Sequence, residues 1–143
     1  MNNSTIKVTH LRIFNSIPIP ASRPKFRRFK NKTITYIAEP YKTFKDNMSI
    51  WARDNYKMPL QGSLAINVYF HMPIPKSLSV KKQNELDGSW HTKATGDIDN
   101  LLKSCWDSLE GYAFLNDSQI CQVFSAKKYS FSPRIEISIK KLV

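Results

Sequence analysis

The sequence predicts an α+β fold, a single mixed β-sheet of about four to six strands carrying two main helices. Three observations carry this. Leu64, Ile66, Val68 and Phe70 alternate with Ala65, Asn67 and Tyr69, the period of a strand with one face on a core. Ile135, Ile137 and Ile139 alternate with Glu136, Ser138 and Lys140 in the same way. Between them Ile98, Leu101, Leu102, Cys105 and Leu109 fall at i, i+3, i+4, i+7 and i+11, one apolar stripe of an α-helix.

The elements follow in order. Ile6 to Ile19 reads as a strand that the prolines Pro18 and Pro20 end. Thr33–Ile37, TITYI, is β-branched and aromatic and predicts a second strand. Pro40 stands where a helix can begin, because its missing N–H costs nothing in the first turn. Tyr41, Phe44, Met48 and Trp51 follow at helical spacing and read as core packing. The strand Leu64–Phe70 ends before Pro73 and Pro75. Ser79 to Leu86 predicts a short helix with Gly88 just past it. The helix that opens near Ile98 stops at Gly111. Gln119–Tyr129 predicts a strand, Ser132-Pro133 a turn, and Arg134–Lys140 the last strand. Hairpins mixed with a helical crossover imply a mixed sheet.

Composition narrows the function. The chain has 143 residues, enough for one domain with a modest core, and is 41% hydrophobic. It carries 22 Lys and Arg against 11 Asp and Glu, a net charge of +11. Such a surplus repels itself unless a polyanion offsets it, and nucleic acid is the commonest such partner. A solubilising surface or an anionic membrane surface would use the same charge. No apolar run reaches the length of a membrane span, and Met1 to Thr9 lacks the apolar region of a signal peptide, so the expected compartment is the cytoplasm. Cys105 and Cys121 form no Cys-x-x-Cys pair, and Cys105 is expected as a buried free thiol. His10, His71 and His91 are scattered and read as structural or exposed rather than as ligands.

Acids are scarce, which makes Asp97 and Asp99 in GDIDN conspicuous. Two carboxylates at the end of an element can converge on one ion, and Mg²⁺ takes oxygen ligands of this kind with waters and substrate phosphate. The ordinary alternative is a helix cap, since Asp is favoured at the N-cap and in the first turn. Lys103 lies four residues after Asp99 on the same polar face. It can reach back to the carboxylates or to a phosphate, or form a plain ion pair worth about 0.3 kcal/mol. Asp107 continues that row. Asp117, in FLNDSQI, stands before the next strand, either as a third acid for the pair or as a turn residue.

GDIDNLLKSCWDSLEGYAFLNDSQI resembles the core motif of the RusA family of Holliday junction resolvases. Asp97, Asp99, Asn100, Leu101, Lys103, Asp107, Leu109, Asp117, Ser118 and Gln119 fill its Asp-x-Asp-Asn-Leu-x-Lys, Asp-x-Leu and acid-Ser-Gln positions. Arg23–Phe26 with the basic residues after it resembles the family's basic N-terminal hairpin, and Lys76 to Lys93 its basic stretch before the acids. The likeness runs from about Pro18 to Tyr129 and implies one RusA-like domain over 1–143, with the hairpin within 6–38 and the catalytic core within 62–140. Two departures stand out. Asn116 occupies the position of a usual acid, and Thr95-Gly96 replaces Lys-Pro before Asp97.

The resemblance implies an endonuclease that hydrolyses phosphodiesters in four-way DNA during recombination and repair. It implies a homodimer with one site per subunit, matching the two-fold symmetry of the junction. Asp97, Asp99 and Asp117 would hold Mg²⁺, with Mn²⁺ as a substitute, and Lys103 would stabilise charge in the transition state. Arg23, Lys25, Arg27, Arg28, Lys76, Lys81, Lys82 and Lys93 would bind backbone phosphates. No organic cofactor and no membrane partner are expected. The setting is a bacterial cell, with phage or host origin both open. A basic DNA-binding protein that does not cut, or a nuclease for other branched DNA, is the competing reading.

Overall fold

Two rows of alternating aliphatic side chains make the floor of the core. The computed structural model describes residues 10–143. Strand β4, Leu64–Pro73, turns Leu64, Ile66, Val68, Phe70 and Met72 to one face, and β6, Arg134–Lys141, turns Ile135, Ile137 and Ile139 to the same face. The two run antiparallel, with Ile66 opposite Ile139 and Phe70 opposite Ile135. Strand β1, Arg12–Phe14, adds to the outer side of β6, also antiparallel. Strand β5, Ile120–Ser130, pairs parallel with β4. The sheet order is therefore β1-β6-β4-β5, the mixed sheet that the sequence predicts.

Helices cover one face of this sheet. Helix α1, Tyr41–Asn55, buries Tyr41, Phe44, Met48 and Ala52, and Trp51 is packed at the edge of the core. Helix α3, Ile98–Leu109, buries Leu101, Cys105 and Leu109. Ile98 departs from the expected stripe and is 36% exposed, because it opens the helix at the margin of the sheet. Burial pushes the Cys105 thiol up, so it stays protonated, a free, inert cysteine as expected. Between β4 and α3 lies the short helix α2, Val80–Leu86, capped by the Ser79 hydroxyl, which accepts from Lys82 N at 3.3 Å. Among the described residues no helix is long and apolar enough to cross a membrane.

The N-terminal region differs in detail from its expectation. Of the run Ile6–Ile19, only Arg12–Phe14 is strand, and Ile6 to Thr9 lie outside the described residues. A separate two-stranded sheet follows, formed by β2, Lys25–Phe29, and β3, Lys32–Tyr36. Its two-residue turn puts Lys30 at φ 44° and Asn31 at φ 61°, the positive pair that a tight type I′ hairpin requires. Every residue of both strands is exposed.

Leu101 is fully buried between α1, α3 and the sheet. Leu101→Ala is expected to lose about 2–5 kcal/mol of unfolding free energy, read as a lowered urea midpoint with an unchanged slope.

Candidate active site

The chain enters the site through a tight passage. A single 3₁₀ turn, Ala94–Gly96, leads to Asp97. Gly96 is buried, and a Cβ there would lie 3.0 Å from Met72 Cε and 3.3 Å from His91 Cε1. A side chain there would have to push Met72 and His91 aside by a few tenths of an ångström. The Lys127 ammonium, from β5, donates to Gly96 O and pins the passage to the sheet. His91 is buried against Tyr129, with ring centroids 4.8 Å apart. Burial and then the Lys127 charge push its pKa down. Lys127 does not stand out in the sequence, because its role depends on a loop closing over β5, while His91 is structural, one of the two readings its sequence position allowed.

Asp97 occupies the N-cap position of α3, yet its carboxylate makes no capping hydrogen bond. The ordinary cap role that the sequence left open is thus not filled. Asp99, in the first turn, accepts from Asn100 N through one oxygen at 2.9 Å. Both residues are exposed.

Lys103 turns the other way. Its ammonium lies 3.6 Å from Asp107 Oδ1, one helical turn toward the C-terminus, rather than against Asp99. Asp107 is more than a solvated face. It is half-buried, and its Oδ2 accepts from the Tyr41 hydroxyl of α1 at 2.7 Å. Burial, and then Asp107, push the Tyr41 pKa up, so the phenol remains a donor. The result is a chain from α1 through Asp107 to Lys103.

Asp117 stands at the opposite end of α3. Twelve residues at about 1.5 Å each make that helix about 18 Å long. Asp117 N donates to Oε1 of Glu110, the residue that caps the C-terminus of α3, at 3.3 Å. Asn116 caps the 3₁₀ turn Asp117–Gln119 through Ser118 N, and the Gln119 side chain closes a capping box. Gln119 Nε2 also donates to Leu60 O and Gly62 O, stitching this loop to the start of β4. Asn116 thus builds the loop, and a carboxylate from Glu110 stands beside Asp117. Asp97 and Asp99 therefore stand apart from Asp117 along α3, and among the described residues no three acids, histidines or cysteines gather as a metal site.

Two basic segments are tied to the Asp97 end. Ala21 N donates to Asn100 O at 2.9 Å, which roots the chain leading to Arg23, Lys25, Arg27 and Arg28 beside the start of α3. Lys76, Lys81 and Lys82 follow the end of β4, and Lys93 leads into the passage. All eight side chains are exposed. A cavity of about 500 Å³ opens there, lined by Ser22, Tyr41, Pro73, His91, Lys93 and Thr95 among others. The donor chemistry fits a hard cation: Asp97 and Asp99 offer exposed carboxylate oxygens, few competing partners and room for water and phosphate.

Tyr41→Phe removes a hydrogen bond to a charged acceptor and is expected to destabilise the fold by about 1.5–3 kcal/mol. Equilibrium denaturation measures it, and an unchanged midpoint would contradict the role given to Asp107.

Comparison with known proteins agrees with this architecture. A protein of Bacillus subtilis (strain 168), described as uncharacterized protein YqaN, is 27% identical over 131 residues, covering 87% of this chain and 91% of its own. The family described as endodeoxyribonuclease RusA matches residues 16–140, from between β1 and β2 to Lys140 in β6. That match takes in both ends of α3, the basic hairpin, β4, β5 and all but the last residue of β6, and the chain belongs to the RusA family of endodeoxyribonucleases.

Proposed function

We propose that this chain is a divalent-metal-dependent endonuclease that resolves four-way DNA junctions, and that it works as a homodimer whose two sites are each completed by the partner subunit. The observation that carries this reading is the separation of the acids. Asp97 and Asp99 stand at one end of α3, and Asp117 stands at the other. A site that needs all three requires a second copy.

The edge of β5 supports such a pairing. Its C-terminal part is covered by the segment Gly88–His91, which bonds Lys127 O and Tyr129. Cys121, Gln122, Val123 and Phe124 are exposed beyond it. Two copies pairing antiparallel along that stretch would carry Asp117 of each toward the Lys127 end of the other, where Gly96 and Asp97 lie.

In this reading Asp97 and Asp99 of one subunit, with Asp117 of its partner, hold Mg²⁺ or Mn²⁺. A bound ion supplies an acidified water and positive charge at the phosphate. Lys103 has carboxylates four residues away on either side, Asp99 and Asp107, so a change of its side-chain torsions carries the ammonium from its resting pair toward the phosphate. The exposed hairpin and α2 grip the flanking phosphates, and binding weakens as salt rises.

A labelled four-way junction should be nicked with Mg²⁺ and left whole with EDTA. Asp99→Asn should bind the junction but not cut it, and cleavage by that variant at the wild-type rate would sink the metal site. A panel of flaps, forks and linear duplex ranks the substrates and separates a nuclease from a binding protein. Mixing the variants Asp99→Asn and Asp117→Asn tests the dimer. A site shared between subunits leaves one intact site in each mixed dimer, restoring about a quarter of the wild-type nicking after subunit exchange. Sites contained in one chain would restore none.

A further inference from the structure

The face of the sheet opposite the helices carries an aromatic cluster that the proposed chemistry does not use. We infer that Trp90, Tyr69, Phe124 and Lys128 form a subsite for an unpaired nucleobase of single-stranded DNA. This rests on the reading of the chain as a DNA enzyme, but not on its metal chemistry.

The geometry is that of a prepared platform. Phe124 faces this side opposite Asn67, Lys128 opposite His71, and Tyr69 lies between them on β4. The Tyr69 and Phe124 rings are 5.7 Å apart and inclined at 52°. Trp90 joins from the segment that bridges Lys128, fixed by His91 N donating to Lys127 O at 3.2 Å and Tyr129 N to Ser89 O at 2.9 Å. The Lys128 ammonium stands 4.3 Å from the centre of the Trp90 ring. Together with His71 and Glu136 these residues line a cavity of about 370 Å³. Trp90 is 65% exposed and Phe124 56% exposed, a large apolar outlay for a surface with no covering element among the described residues.

Charge decides the occupant. The chain carries +11, and this face bears Lys128, Arg134 and Lys140 against Glu136. A base offers a π-face to the rings while its phosphate meets the ammonium. A second copy laid face to face would set these cations against their own images. The position also suits a displaced strand. Lys127 touches Gly96 on the helix side of β5, and Lys128, its neighbour, serves the cluster on the other side. A nucleotide stacked here lies one strand's thickness from the passage to Asp97.

The test uses the full chain in EDTA, so that no cleavage intervenes, with fluorescein-labelled oligothymidylate and a blunt duplex as probes. Trp90→Ala and Phe124→Ala are each expected to weaken oligothymidylate binding by about 5- to 100-fold. Trp90→Phe should keep most of it, and Trp90→Ala should leave duplex affinity within about twofold. Equal losses on both probes would mean ordinary phosphate contact and overturn the subsite, as would no loss at all. A shift of Trp90→Ala from dimer to monomer by light scattering would overturn it too, making the face an interface between copies. Junction nicking by wild type with Mg²⁺ is scored separately. A chain that bound oligothymidylate but never cut would refute the proposed function and leave the subsite standing.

Discussion

The parallel pairing of β4 with β5 governs the rest of the molecule. Two parallel strands cannot be joined by a tight turn, so the chain must leave one end of the sheet and return to the other. Here it does so through α2 and α3. Helix α3 runs back along the sheet, and its two ends inherit the two ends of the strands. Asp97 therefore sits where β4 finishes, and Asp117 where β5 begins. The spacing of the acids is a product of topology rather than of local loop structure.

Around the Asp97 end, contacts distant in sequence hold what the local chain would not. Lys127 fastens the Gly96 passage to β5, Ala21 fastens the root of the hairpin to Asn100, and Tyr41 holds Asp107 across 66 residues. Each joins an element of the apolar core to a polar segment at its margin. The carboxylates themselves are left exposed and nearly uncommitted, an arrangement that costs nothing in burial.

Much of this was legible in the sequence, for physical reasons. The alternation in β4 and β6 and the stripe of α3 follow from burial on one face, which leaves a periodic trace. Ser79 and Gly111 mark helix ends because capping and positive φ demand particular residues. The distance between Asp97 and Asp117 was legible in part. The twelve residues of α3 already imply a long gap between Asp97 and Asp117, but a linear motif invites the assumption that its members meet. The partner of Lys103 was ambiguous, since Asp99 and Asp107 are equally spaced from it, and only Tyr41 from α1 distinguishes them. Lys127 and Gly96 left no periodic trace, because one long-range contact does not repeat.

The hairpin of β2 and β3 exposes both of its faces and makes no part of the core. An isolated two-stranded ribbon is marginally stable in water. Folding thus places few demands on Lys25, Arg27 and Arg28, and changes there leave the stability of the sheet nearly untouched. The protein separates what must stay constant from what can vary. A basic ribbon of this kind can be lengthened, shortened or recharged while the buried scaffold carries on unaltered.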